Sequence, residues 1–235
     1  MLILLPPSEG KTAPSEGEPL ELSELAFASL TKTRSRLLDV LSRLTFPRAL
    51  GYLDVSPGLL EEARRDLTLR EAPAAPAHEV YTGVLYERLG LGSLPGGDVL
   101  IASALWGFVR PSDRIPAYRL SMGARLPRIP SLPALWRDPL RRAMPDRGLI
   151  VDLRSSSYAA AFKPERATVV GVRAFVDGRT VSHMVKATRG DVARLLLSSA
   201  EQPETPEDVA AIVRAAGHEV ELSGSGRIRS VDILA

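Results

Sequence analysis

Two rhythms of apolar and polar residues divide this chain. Short unbroken apolar runs occur in "MLILL" (1–5), "GDVLIASAL" (97–105) and "GLIVDL" (148–153). Runs of that length between Gly and Pro residues predict buried strands. Elsewhere the apolar positions recur at helical spacing, which predicts a long helix over residues 22–44 and a shorter one over His78–Leu89. Pro47–Leu53 and Pro57–Leu67 read as short helices around "DVSPG", with Ser56 as N-cap and Pro57 in the first turn. Five prolines between 107 and 133 restrict that stretch to loop and short strand. "ALWRDPLRRAM" predicts a helix with a Pro near its middle. Residues 167–187 read as a hairpin of two strands turning at Asp177-Gly178, followed by a helix in "RGDVARLLLSS". Thr205, Pro206 and Gly217 carry the N-cap, first-turn and stop signals of another helix, and "HEVELS" and "RSVDIL" close the chain as strands. With strands at both ends and no low-complexity linker, the pattern predicts one mixed α/β domain.

Composition narrows the chemistry. The chain has 235 residues, 45% hydrophobic, enough for a sizeable core. It contains no Cys, which excludes disulfides, thiolate nucleophiles and Cys-ligated metal centres. The opening apolar run is too short for an export signal and stops at Pro6-Pro7, so a cytoplasmic location is expected, without membrane contact. The net charge is only +2, yet residues 101–190 hold sixteen Lys and Arg against six Asp and Glu. That bias favours an anionic partner, although an Arg-rich composition on solvated faces would leave the same trace. Only Lys11, Lys32, Lys163 and Lys186 are lysines.

"LLPPSEGKT" (4–12) ends like a phosphate-binding loop, but that motif needs a Gly at position 5 and a helix beginning at the Lys-Thr. Leu5 and Pro14 deny both. His78, His183 and His218 lack metal-ligand spacing, and Ser155-Ser156-Ser157 lacks the glycines of a nucleophile elbow. No catalytic triad or metal site can be named, no cofactor is called for, and whether the chain is an enzyme stays open. Residues 104–126 interleave Trp106 and Tyr118 with Arg110, Arg114, Arg119 and Arg125, which suits base stacking, an anion clamp, or a rigid loop whose arginines pair with Asp113.

"LWGFVRPSDRIPAYRLSMG" (105–123) resembles the signature L-Y/W-G-x-x-R-P-x-D-x-I-x-x-Y-R-L-x-M-G of the peroxide stress protein YaaA family. "SEGKT", "VYTG", "LPALWRDPL", "DLRSSSY" and "VKATRG" follow the family's order along the chain. The resemblance implies a single YaaA-like domain over 1–235, a mixed sheet wrapped by helices, with a helical subregion at about 22–90 after the first strand. It also implies a bacterial cytosolic role in limiting peroxide damage by lowering free iron, and DNA binding through a basic cleft with a helix–hairpin–helix-like element. Lys11, Thr12, Tyr81, Arg110, Arg119, Tyr158, Lys186 and Arg189 fall on the family's shared polar positions and would line that cleft. Thr82, Trp106, Asp113, Tyr118 and Ser155 complete the candidate set. This chain departs from better-studied members at "PPSEGKT", where they have "SPAKT", and at Ser157, where they carry an acid. The segment "LGYLDVSPGLLEEARR" also lacks the paired Gly-x-Gly turn of strong DNA-binding hairpins. The alternative is an enzyme or binder for a nucleotide or other small phosphorylated anion in the same cleft. Direct iron binding is disfavoured by the scarcity of His and acidic clusters.

Overall fold

The structure is a computed structural model describing residues 1–46, 48–53, 57–94, 98–176, 179–180 and 182–234. Its strands are β1 (Leu2–Leu5), β2 (Ala75–Pro76), β3 (Val99–Ser103), β4 (Gly107–Val109), β5 (Arg114–Ile115), β6 (Leu149–Asp152), β7 (Thr168–Val176), β8 (Arg179–Thr180), β9 (Glu219–Ser225) and β10 (Ile228–Leu234). Eight of them form one sheet in the order β4-β3-β1-β6-β7-β10-β9, with β8 paired to β7. The five strands β3, β1, β6, β7 and β10 run parallel, and β4, β8 and β9 are antiparallel additions. β2 and β5 make a separate two-stranded sheet.

The apolar runs explain the central strands. All four residues of β1 and all five of β3 are buried, as expected where both faces of a parallel strand are covered. Each buried Leu or Ile contributes roughly 1.5–3 kcal/mol. One continuous apolar cluster joins these strands to Leu30, Leu37 and Leu41 of the first long helix and to Trp136, so the helical region after β1 shares the sheet's core.

Several predicted elements differ in extent. The helix expected over 22–44 is α-helical only from Thr31 to Leu41, after a 3-10 turn at Ala28–Leu30. Phe27 adopts φ 62°, and the Ala26 amide is held by Asp113, which removes the preceding residues from the helix axis. The helix expected over 78–89 is broken into Ala77–Val80 and Val84–Leu89. At the break, Tyr81 turns extended and bridges to Lys11. The second strand of the expected hairpin is only β8, and a helix runs from Ser182 to Ser198 where strand was expected. The Asp177-Gly178 turn and the Ser56 cap lie outside the described residues. The helix Leu132–Ala143 contains Pro139, and Pro206–Ala215 starts with a full capping box between Thr205 and Asp208.

Arg34 is fully buried inside the first helix, where the pattern predicts only core. Its guanidinium donates to the carbonyls of Trp106 (2.9 Å), Phe108 (2.9 Å) and Ala26 (2.7 Å), tying the helix to β4.

Candidate functional site

β1 lies between β3 and β6, so the chain leaves its carboxyl end in one direction and returns on the other side. In parallel sheets ligands bind beyond the strand ends at such a switch point. A cleft of about 670 Å³ opens there. One wall is the Pro6–Lys11 loop that leaves β1. The loop after β6 supplies Ser155, Ser157 and Tyr158, and the helix Ser182–Ser198 supplies Lys186 and Arg189, one turn apart. Arg119–Gly123 and Thr82–Tyr86 complete it.

Close packing of two helices places the last cations. A Cβ on Gly190 would lie 2.5 Å from the Leu85 carbonyl oxygen, so only glycine lets the helix Ser182–Ser198 approach Val84–Leu89 this closely. The loop after β1 is anchored as well. The Thr82 amide donates to Ser8 Oγ (3.1 Å), and the Tyr86 hydroxyl donates to the Pro6 carbonyl (2.7 Å).

Lys11 is recessed in this cleft. Its Nζ donates to the Ser8 carbonyl at 2.8 Å and lies 4.4 Å from the centre of the Tyr118 ring. Burial, aided by the charge of Arg119, brings its ammonium down to about 8, against the pull of Asp66, Glu62 and Glu9. Arg119 donates to the Glu9 carbonyl (3.1 Å) and pairs with Glu62 (3.5 Å). Beneath it, Asp66 is 1% exposed and accepts from the Arg119 amide at 2.8 Å. Among the described residues its other oxygen has no partner, and burial pushes the carboxyl up to about 8. Burial also raises the Tyr158 phenol, to about 12, and lowers the Arg189 guanidinium.

Of the residues singled out in the sequence, Lys11, Thr82, Arg119, Ser155, Tyr158, Lys186 and Arg189 line the cleft. Three others lie below its floor. Ser103 Oγ accepts from the Leu105 and Trp106 amides, so its proton goes to the Tyr118 hydroxyl (2.7 Å), which also shares a hydrogen bond with the Tyr81 hydroxyl (2.8 Å). Trp106 packs edge-on against Tyr118 and is fully buried. Trp106, Tyr118 and Tyr81 therefore present no face for base stacking. Thr12 faces a neighbouring recess with Glu79 and Arg114. Arg110 lies at the opposite, amino ends of the strands, in a cavity of about 490 Å³ that it shares with Asp98 and Arg147. Asp113 is a local clamp, accepting from the Arg110 and Ala26 amides. Among the described residues, Arg119, Lys186 and Arg189 are the cations of residues 101–190 that enter the cleft lining. Others serve the fold: Arg154 is buried against Asp152 through two bonds (2.8 and 2.7 Å), and Arg173 pairs with Asp232.

Ser8, Glu9 and Asp66 were not found from the sequence. Ser8 and Glu9 could have been taken with Lys11 as one loop. Asp66 gives no signal, because it closes an ordinary charged helix, "LEEARR", and its burial arises only from tertiary packing.

The fold and cleft define a class: a mixed α/β domain with a cleft, lined in part by Lys and Arg, at the switch point of its parallel strands. The family model described as "Peroxide stress protein YaaA" matches residues 1–222, and the chain belongs to that family. It is similar to a UPF0246 protein of Streptomyces coelicolor, 41% identical across 100% of this chain and 98% of that one. A UPF0246 protein of Corynebacterium glutamicum is 40% identical (94% and 95% covered), and one of Salinispora tropica is 29% identical (89% and 85%).

Proposed function

We propose that this protein acts in the cytoplasm during hydrogen peroxide stress, limiting damage by lowering free iron, and that its working part is a cleft for one nucleotide-sized phosphorylated ligand. Family membership supports the stress role. The observation that carries the ligand class is the convergence of Lys11, Arg119, Lys186 and Arg189 on one recess of about 670 Å³. Amines, guanidiniums and hydroxyls suit phosphate oxygens, and a donor set of that kind is unsuited to an iron cation, so the effect on iron is read as indirect. Lys11 is recessed in that cleft, which favours a small ligand over an intact duplex. A thermal-shift screen of nucleotides and sugar phosphates is expected to find a stabilising compound, at about 2.7 kcal/mol for a ligand at a hundred times its Kd. Lys186→Ala with Arg189→Ala should abolish that shift, and a shift that persists would count against the site.

A second reading, DNA binding, is supported by exposed Lys186 at the cleft and by exposed Arg125 two residues beyond the lining residue Gly123. It predicts affinity falling steeply with salt in a duplex titration. Salt-independent affinity would remove it.

A further inference from the structure

Lys11 is placed unlike the other three lysines. Lys32, Lys163 and Lys186 are exposed, whereas Lys11 is recessed in the cleft with its Nζ over the Tyr118 and Tyr81 rings. Among the described residues no carboxylate lies within ion-pair distance of its Nζ. The nearest acids, Asp66, Glu62 and Glu9, act on it only through space, and Arg119 opposes them. Burial and the charge of Arg119 bring its ammonium down to about 8, so the neutral amine is populated at mildly alkaline pH far more than in an exposed lysine. A neutral amine in a cation-lined recess can act as a nucleophile.

We propose that Lys11 forms a Schiff base with an aldehyde or ketone bearing a phosphate or carboxylate, whose anionic end is held by Arg119, Lys186 and Arg189. The proposal rests on the anion-cleft reading and names the chemistry of its ligand. The neutral Nζ attacks the carbonyl carbon, and a C–N bond forms as the C=O π pair moves to oxygen. A proton passes from nitrogen to that oxygen. The C–O bond then breaks, and the hydroxyl departs with the second nitrogen proton as water, leaving C=N to Nζ. No oxidant or reductant takes part. Asp66 is a positioning residue, keeping an acid beneath Arg119 without pairing to the amine.

The test uses pyridoxal 5′-phosphate as a phosphorylated aldehyde, sodium borohydride to reduce any imine, and peptide mass spectrometry to locate it. Lys11 is expected to carry about tenfold or more label than any of the three exposed lysines, with about one label per chain. Lys11→Arg, verified by its melting transition, should reduce total label about fourfold or more. Label spread evenly over the lysines, or unchanged in Lys11→Arg, overturns the proposal. Pyridoxine 5′-phosphate, the alcohol of the same shape, separates the two claims. If it stabilises the protein while the aldehyde leaves Lys11 unlabelled, the anion cleft stands and the Schiff base falls. If neither compound engages the cleft, both fall.

Discussion

Asp66 sits below the cleft with one oxygen on the Arg119 amide and the other unpartnered among the described residues, while Lys11 above is held near the same titration point. Their linkage to stability has opposite signs. Asp66 is raised from 3.8 to about 8, so the fold holds its proton where the unfolded chain has lost it. Its contribution is full below pH 4 and fades as pH rises toward 8. Lys11 is lowered from 10.5 to about 8, so its contribution is full above 10.5 and fades as pH falls toward 8. The pair therefore predicts weakest stabilisation near pH 8. The slope between pH 5 and 8 approaches ~1.4 kcal/mol per unit for a single proton. Asp66→Asn should flatten that slope in urea denaturation at pH 5, 6.5 and 8, and an unchanged slope would show that Asp66 is not the group responsible. None of this was legible in the sequence, where Asp66 is one acid among several and its environment comes from the Arg119 loop, fifty-three residues away.

Two close contacts between elements invite tests. Gly107 has φ 74°, and a Cβ there would meet the Trp136 ring at 2.8 Å. Gly107→Ala should therefore cost about 1–3 kcal/mol through overpacking and backbone strain, measured by denaturant unfolding. Gly190→Ala should push the helix Ser182–Ser198, which carries Lys186, away from Val84–Leu89, lowering both stability and the ligand-induced thermal shift. A variant of normal stability and normal shift would contradict the helix crossing as the device that builds this wall. Elements whose pattern was self-contained were legible: β1, β3, β6 and the capped helix at Pro206. Those decided by distant contacts were not. Asp113 captures the Ala26 amide and shortens the first helix, Lys11 bridges Tyr81 and breaks the next, and "SHMVKA" (182–187), read as strand, opens a helix packed on Val84–Leu89.

Across the whole molecule, the order of strands decides where chemistry is possible. β1 divides the sheet, and the cleft forms where its loop meets the loop after β6 and the helix after β8. The residues of the long signature at 105–123 divide by depth. Arg119 reaches the cleft, Trp106 and Tyr118 support it from below, and Arg110 and Asp113 lie elsewhere. Linear charge was a poor guide for the same reason, since burial against Asp152 or pairing with Asp232 removes cations from any binding face. A co-crystal structure with the phosphorylated compound that stabilises the protein most tests the central claim directly. The account predicts its phosphorus in the cleft, with oxygens within hydrogen-bond distance of Arg119 and of Lys186 or Arg189. A phosphate found instead beside Arg110 at the amino ends of the strands would contradict it.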